Sequence, residues 1–465
     1  MSHQQQAREI ARYADRYAFF YDTRTGKTPL SLTIMNDDIQ ASPHHKWLVV
    51  CPLILIDEAW IADSYKFFPN LSIQSCHAAT PKKRIERINE EASIYVTNTE
   101  SFVRYREYFD KKGFTGCFID ESSDMKSPRS NVSKELVDFA QTMPRFYLLS
   151  GTPAPNGEWE YYMQLKAVDM YGVPQTYGAF KDKYFYNTSY NPQFEKLALR
   201  ADKKDDLYEL VKKYAIYVDK EDCLTTPGRT FHEVEIEMPP GLQKHYTKLK
   251  NDLFLEVSED NTITAASSAA KLNKLNQVTS GFIIDTQVVK ENKFYDEDNP
   301  EWHLLDMYRI TKLLELLDSE NVRGEQVLIW ANYHVEFELI KKVLGDRCQC
   351  VYGKTKFEDK KEALKAFKEK RIQYLVANPA SADKGLTLTN AHIAIYYSLN
   401  WSYELFKQSM ERIYGSIESQ PKHCDYYIII AKGTVDRVLY SDVLQGKQAA
   451  GYAVLNHLKS EATYE

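Results

Sequence analysis

The chain has no surplus of positive charge: 59 Lys and Arg against 65 Asp and Glu leave a formal net charge of -6 at pH 7. That excludes a global coat for nucleic acid. Any contact with DNA must come from a local basic groove, whose affinity falls with salt. Cysteine is sparse: seven residues, Cys51, Cys76, Cys117, Cys223, Cys348, Cys350 and Cys424, form no C-x-x-C and no paired clusters. An odd count in that pattern argues against both a disulfide framework and a zinc site. Long hydrophobic runs are missing too. The longest, 47–56, contains Pro52 and falls far short of the roughly 20 residues of a membrane span. The polar N-terminus carries no signal peptide, and no short-period repeat or low-complexity tract is visible. These absences read as a soluble protein of a reducing compartment, without membrane contact.

What is present is core material: 43% of the 465 residues are hydrophobic, a length for about two to three domains. Up to residue 150, short apolar strands alternate with polar, helix-like segments. The strands are 17–21, 47–50, 94–97, 117–119 and 146–149. That rhythm is the α/β pattern of a parallel sheet wrapped by helices. It fades from about 173 to 305, where helix-like pieces at 204–217 and 241–256 flank a loop expected at 259–270. It resumes from about 306, with strands at 327–330, 349–352, 374–376, 393–397 and 426–430 and helices near 333–344, 356–370 and 434–444. The expected division is therefore a first α/β lobe over 1–172, a helical connector or protrusion over 173–305 that partly belongs to the second lobe, and a second α/β lobe over 306–465.

In such sheets functional residues sit just beyond the strand C-termini. After the first strand stands T-R-T-G-K-T at 23–28, followed by a helix with Pro29 in its first turn and Leu30 and Ile34 four apart. A strand, a polar loop and a helix N-terminus can cradle a triphosphate, with Lys27 reaching the outer phosphates and Thr28 holding Mg²⁺. The same residues alone also fit an ordinary turn, because Tyr21 and Arg24 stand where this kind of loop has glycines. Asp120 and Glu121 close another apolar strand. There an Asp can hold Mg²⁺ and a Glu can polarise water, or both can be a solvated strand end. Ser150-Gly151-Thr152-Pro153 follows the next strand and suits a tight loop bridging two ligands, or simply a turn before a helix. In the second half, Phe406, Met410 and Ile413 form the apolar stripe of a helix, while Gln408, Glu411 and Arg412 share another face. Arg412 is a candidate arginine finger; the plainer reading is a surface ion pair with Glu411 or Glu404.

The order of these stretches resembles the Swi/Snf-type branch of superfamily two helicases, in the minimal form found in bacteriophage genomes. The resemblance covers nearly the whole chain and rests on T-G-K-T (25–28), V-C-P (50–52), I-D-E-S-S (119–123), L-S-G-T-P-A-P-N (149–156), V-L-I-W (327–330), Y-G-K-T (352–355), K-G-L-T-L-T (384–389) and Q-S-M-E-R (408–412). It implies two RecA-like lobes and an ATP- and Mg²⁺-dependent helicase or translocase on duplex, forked or junction DNA. Such a motor would serve branch migration or fork regression in replication, recombination or repair, as a monomer in the cytoplasm of a host cell. Carried over residue by residue, Gln4 or Gln5 would read adenine. Arg24, Thr25, Gly26, Lys27, Thr28 and Gly385 would hold the nucleotide, Thr28 and Asp120 the metal, and Glu121 the water. Arg412 would reach the γ-phosphate. Pro52, Thr97, Ser150, Gly151, Thr152, Gly353, Lys354, Lys384, Thr387, Thr389, Trp401 and Gln408 would touch DNA or couple it to the nucleotide. Departures from the family pattern are Gly415, where a second Arg is usual, and Ser123, where a His is common. Two alternatives stay open: an RNA-stimulated helicase of the same fold, and a nucleotide-gated DNA-binding module with little hydrolysis. No appended reader domain is expected in the 20 residues after about 445.

Overall fold

Runs such as W-L-V-V-C and V-L-I-W have no polar face, so as strands they must be covered on both sides. That is how the chain uses them. In the computed structural model the described residues are 2–188, 197–259, 265–284, 302–381 and 387–441. Among them the chain falls into two compact units, one up to Thr226 and one from Pro227 onward.

The first unit contains β1 (Arg16–Tyr21), β2 (Trp47–Cys51), β3 (Ile73–Ser75), β4 (Ile94–Asn98), β5 (Gly116–Asp120), β6 (Arg145–Leu149), β7 (Phe185–Asn187), β8 (Leu197–Leu199) and β9 (Ala215–Val218). Seven of these form one sheet in the order β3-β4-β2-β5-β6-β1-β9. Every neighbouring pair in it is parallel. Successive side chains alternate between two apolar clusters, one on each face. Phe19, Tyr21, Trp47, Val49 and Phe118 face one side, covered by helices α1 (Ser2–Tyr13) and α2 (Lys27–Ala41) through Ala7, Ala11, Leu30 and Ile34. Phe20, Leu48, Val50, Cys117 and Ile119 face the other, covered by Leu136, Leu165 and Leu207 of later helices. Fully burying each large side chain contributes about 1.5–3 kcal/mol.

The second unit contains β10 (Arg229–Ile236), an antiparallel pair β11 (Phe282–Ile284) and β12 (Trp302–Leu304), then β13 (Val327–Trp330), β14 (Cys348–Val351), β15 (Tyr374–Ala377), β16 (Ile393–Tyr396) and β17 (Cys424–Ala431). Its main sheet runs β10-β17-β16-β13-β15-β14, again parallel throughout. Val327 and Ile329 point to one cluster, Leu328 and Trp330 to the other.

The stretch expected as a connector is shared between the sheets, β9 joining the first and β10 the second. The helix expected over 204–217 stops at Tyr214, and A-I-Y-V instead pairs with β1, from Ala18 opposite Ala215 to Tyr21 opposite Val218. Residues with β preference beside an open strand outweigh continuation of a helix. The loop expected at 259–270 is corrected as well. A helix occupies Ala265–Thr279, in keeping with the helix preference of its Ala-rich start; 260–264 lie outside the described residues. No helix among the described residues is long and apolar enough to cross a membrane.

Candidate nucleotide-binding site

β1 delivers the chain to residues 22–26, and α2 leaves from Lys27. The loop reverses direction through two left-handed residues, Arg24 (φ 64°) and Gly26 (φ 86°). A Cβ on Gly26 would overlap the Gln4 side-chain amide, so glycine suits the left-handed conformation and leaves that amide in place. The loop is braced from within and from α1. Thr25, buried, donates its hydroxyl to the Asp22 carbonyl at 2.7 Å, and the Asp22 carboxylate accepts the Thr23 N–H at 2.9 Å. The Thr25 side chain is thus turned into the loop. His3 Nε2 lies 3.0 Å from the Thr25 carbonyl, the Tyr21 hydroxyl donates to the His3 carbonyl at 3.0 Å, and the Gln4 amide reaches the Gly26 carbonyl at 3.5 Å. Gln5 is exposed. The Lys27 ammonium arches over the loop, donating to the carbonyls of Tyr21 (2.9 Å) and Asp22 (3.2 Å); Thr28 is half-buried in the first turn of α2.

β6 lies between β1 and β5, so the ends of the latter two are two strand spacings apart, roughly 10 Å. That gap separates Lys27 from the acidic pair and suits a phosphate chain with a hydrated cation. Asp120 is buried at the end of β5. Its Oδ1 accepts the Glu121 N–H at 3.0 Å and its Oδ2 the Trp60 indole N–H at 3.1 Å. Glu121 is left-handed, with φ 55°. Burial, and then the charges of Asp120 and Asp57, push the nearby Cys51 thiol well up.

The loop after β6 spans the gap. A Cβ on Gly151 would stand 3.4–3.5 Å from the Tyr21 carbonyl, the Asp22 carboxylate and the Thr23 nitrogen. The Ser150 N–H reaches the Phe19 carbonyl (3.4 Å), and the Ser150 hydroxyl accepts the Thr152 N–H (3.1 Å). On the other side Gln164 receives the Ser122 hydroxyl at 2.7 Å and donates to the Pro153 carbonyl at 2.6 Å. Ser123 is buried beside Ser122. Lys27, Thr28, Asp120, Glu121, Ser150, Gly151 and Thr152 thus share one edge of the sheet, with Gln4 on the phosphate-loop side. Pro52 and Thr97 end β2 and β4 at the same edge, farther along; Thr97 is buried and Pro52 half-buried. Sequence reasoning missed Trp60, Gln164 and His3, whose roles depend on partners 22 to 60 residues away.

In the second unit a helix, Tyr403–Met410, starts on Ser402, whose hydroxyl accepts the Leu405 N–H. Gln408 on it donates to Glu404 at 3.3 Å. Arg412 lies just past its end and is buried, which replaces the alternative of a solvent-exposed ion pair. Its carbonyl accepts the Leu388 N–H at 2.8 Å, while the Gln420 amide donates to the carbonyls of Thr389, Ala391 and Ile413. The Arg412 turn and the segment carrying Thr387 and Thr389 are therefore one hydrogen-bonded piece. Thr387, Gly353 and Lys354 are exposed, Thr389 is half-buried, and Trp401 packs partly buried against both apolar clusters of this unit. Lys384 and Gly385 lie outside the described residues.

Two parallel sheets, the first bearing a Gly-Lys-Thr loop and an Asp-Glu strand end two strands apart, define a two-lobe, RecA-like nucleotide-hydrolysing protein of the helicase class. The chain belongs to the SNF2-related family. It matches the SNF2-related domain over residues 14–291 and the helicase conserved C-terminal domain over residues 308–414, and is accordingly an ATP-hydrolysing, DNA-dependent ATPase/helicase. It is 27% identical over 433 residues to protein p41 of Acyrthosiphon pisum secondary endosymbiont phage 1, covering 89% of each chain. It is 22% identical over 413 residues to SWI/SNF-related matrix-associated actin-dependent regulator of chromatin subfamily A-like protein 1 of Drosophila melanogaster, covering 86% of this chain and 49% of the fly protein. To the DNA annealing helicase and endonuclease ZRANB3 of Homo sapiens it is 21% identical over 418 residues, covering 87% of this chain and 36% of that one. The chain spans most of the phage relative but less than half of either animal protein.

Proposed function

We propose that this chain is an ATP- and Mg²⁺-dependent translocase on duplex or branched DNA, working in branch migration or fork regression. The observation that carries the reading is the convergence of the loops after β1, β6 and β5, with Gly151 packed on the phosphate loop and Gln164 joining the acidic loop to Pro153. Lys27, now on loop carbonyls, exchanges them for phosphate oxygens. Thr28 and Asp120 offer the hard oxygen donors that suit Mg²⁺, and Asp120 is already oriented through both oxygens. When bound, the ion neutralises charge developing on the phosphates. Glu121 orients the attacking water, Gln4 meets the adenine, and Arg412 supplies a second cation for the γ-phosphate. Pro52, Thr97, Gly353, Lys354, Lys384, Thr387, Thr389, Trp401 and Gln408 serve the DNA and its coupling, and Gly385 serves nucleotide binding. The similarity to a protein named as a DNA annealing helicase supports a DNA substrate.

The test is phosphate release by the wild type, Lys27→Ala, Glu121→Gln and Arg412→Ala with linear duplex, forked, four-way-junction and single-stranded DNA and with RNA. The expected loss is at least about a hundredfold in each variant with folding intact, the scale of removing one aligned charge-stabilising group. Branched DNA should stimulate the wild type most. Normal turnover in Lys27→Ala and Glu121→Gln refutes the site; equal stimulation by linear and branched DNA refutes the branched-DNA reading.

A further inference from the structure

Asp120 is oriented by a residue that no motif points to. The chain leaving β2 passes Pro52 and, over Ile56–Ile61, winds into a single wide π-helical turn before the helix Ala62–Phe67. Such turns accommodate one extra residue and recur at functional sites, because they rotate one side chain away from its α-helical direction. Here the turn carries Trp60, which is fully buried among Val49, Cys51, Ile56, Val96 and Phe118. Its indole N–H ends on Oδ2 of Asp120 at 3.1 Å, while the Glu121 N–H holds Oδ1 at 3.0 Å. Two donors on two different oxygens fix the plane of the carboxylate. An indole N–H can only donate, and its apolar surroundings strengthen that bond relative to water.

We propose that Trp60 is a positioning residue for Asp120, setting through its N–H how tightly the Mg²⁺–nucleotide complex is held. The inference rests on the reading that Asp120 serves the metal. A bland alternative is that Trp60 matters only as bulk. The two separate cleanly, because Phe keeps an aromatic ring without a donor, whereas His sets Nε2 where the five-membered indole ring sets Nε1 but lacks the second ring.

The experiment measures the Mg²⁺ concentration needed for half-maximal binding of a fluorescent, non-hydrolysed ATP analogue to the full chain. Binding in EDTA and unfolding midpoints are recorded alongside. Trp60→Phe should raise the Mg²⁺ requirement about tenfold, the usual effect of losing a group that orients a metal ligand. Binding in EDTA should not change. Trp60→His should stay within about twofold of the wild type by the same reasoning. Asp120→Asn, the control for the underlying reading, should raise the requirement more than Trp60→Phe does. If Asp120→Asn leaves it unchanged, the metal assignment falls and the role of Trp60 falls with it. If Asp120→Asn raises it while Phe and His behave alike, or His is the worse of the two, only the Trp60 inference is overturned. Should Trp60→Phe not fold, the His variant decides: a wild-type requirement supports the proposal and a tenfold loss overturns it.

Discussion

Replacing Asp436 by Asn should unfold the second unit well before the first. Asp436 is 2% exposed and Arg309 is 1% exposed, and they meet at 2.5 Å. The carboxylate also accepts the Thr279 hydroxyl (3.0 Å) and the Ala431 N–H (3.1 Å). Arg309 in turn donates to the carbonyls of Ile429 (2.8 Å) and Thr279 (3.1 Å). One ion pair therefore ties the end of β17 to the end of the helix Ala265–Thr279 and the start of the helix Tyr308–Leu317. Asparagine preserves the shape and leaves a buried guanidinium without its counter-charge, a change that costs about 3–5 kcal/mol. In a unit of roughly two hundred residues each kcal/mol moves the midpoint by about 2–4 °C, so the expected fall is about 6–20 °C. Calorimetry reads the shift, and hydrogen exchange of the β17 amides assigns it to this unit. The apolar double replacement Arg309→Met with Asp436→Leu should cost less than Asp436→Asn alone, since it removes both charges. A fall smaller than about 3 °C for Asp436→Asn, below even the low end of that scale, would refute the claim that an uncompensated buried charge dominates.

Two further outcomes are expected. Glu336, fully buried, accepts from the Asn332 and Tyr333 N–H groups and the Ser398 hydroxyl, yet burial pushes its carboxyl above the usual range. The fold therefore favours its protonated form. That contribution is complete below about pH 4.3, the ordinary glutamate value, and is lost as pH rises through the raised folded value. Glu336→Gln should gain on the wild type between pH 4.5 and pH 8 in urea midpoint; a constant difference between the two proteins contradicts the assignment. Gly26→Ala should cost about 1–2 kcal/mol, because alanine resists the left-handed conformation, and its methyl group would displace the Gln4 amide. Discrimination of ATP from GTP in equilibrium binding should weaken; an unchanged ratio means that Gln4 does not read the base.

The central strands were legible because a strand covered on both faces reads as an unbroken apolar run. V-L-I-W at 327–330 is β13 without a residue to spare; β1, β2 and β6 differ from expectation by one residue at one end, and β5 by one at each end. The edge strands β3, β9 and β10 were not. β10, R-T-F-H-E-V-E-I, carries charges whose partners are distant in sequence: Arg437 pairs with Glu233 and Glu235, and Lys432 with Glu235 and Glu237. At the site, the loops could be read in order along the chain. Their adjacency could not, because nothing local says that β6 will lie between β1 and β5. Trp60 in D-E-A-W has no signature at all; its role exists only once β2 and β5 are neighbours.

Of the two departures that weakened the phosphate loop in the sequence, Tyr21 and Arg24, the second is one the backbone absorbs. Arg24 stands where a glycine is common, and it takes φ 64°, a conformation a glycine would adopt freely. Left-handed backbone costs a side-chain-bearing residue about 1–2 kcal/mol, so it persists only where its surroundings over-determine it. Here they do: the Thr25 hydroxyl on the Asp22 carbonyl, the Asp22 carboxylate on the Thr23 N–H and the His3 imidazole on the Thr25 carbonyl leave the loop one path. Glu121 follows the same logic, left-handed at φ 55° with its N–H held by Asp120. Among the described residues Lys370 is the remaining non-glycine with positive φ. Two of these three strained positions therefore flank the same gap, one on the phosphate side and one on the acid side. Strain concentrated there, and braced by α1 on one side and by Asp120 on the other, fits the preorganised nucleotide site proposed above.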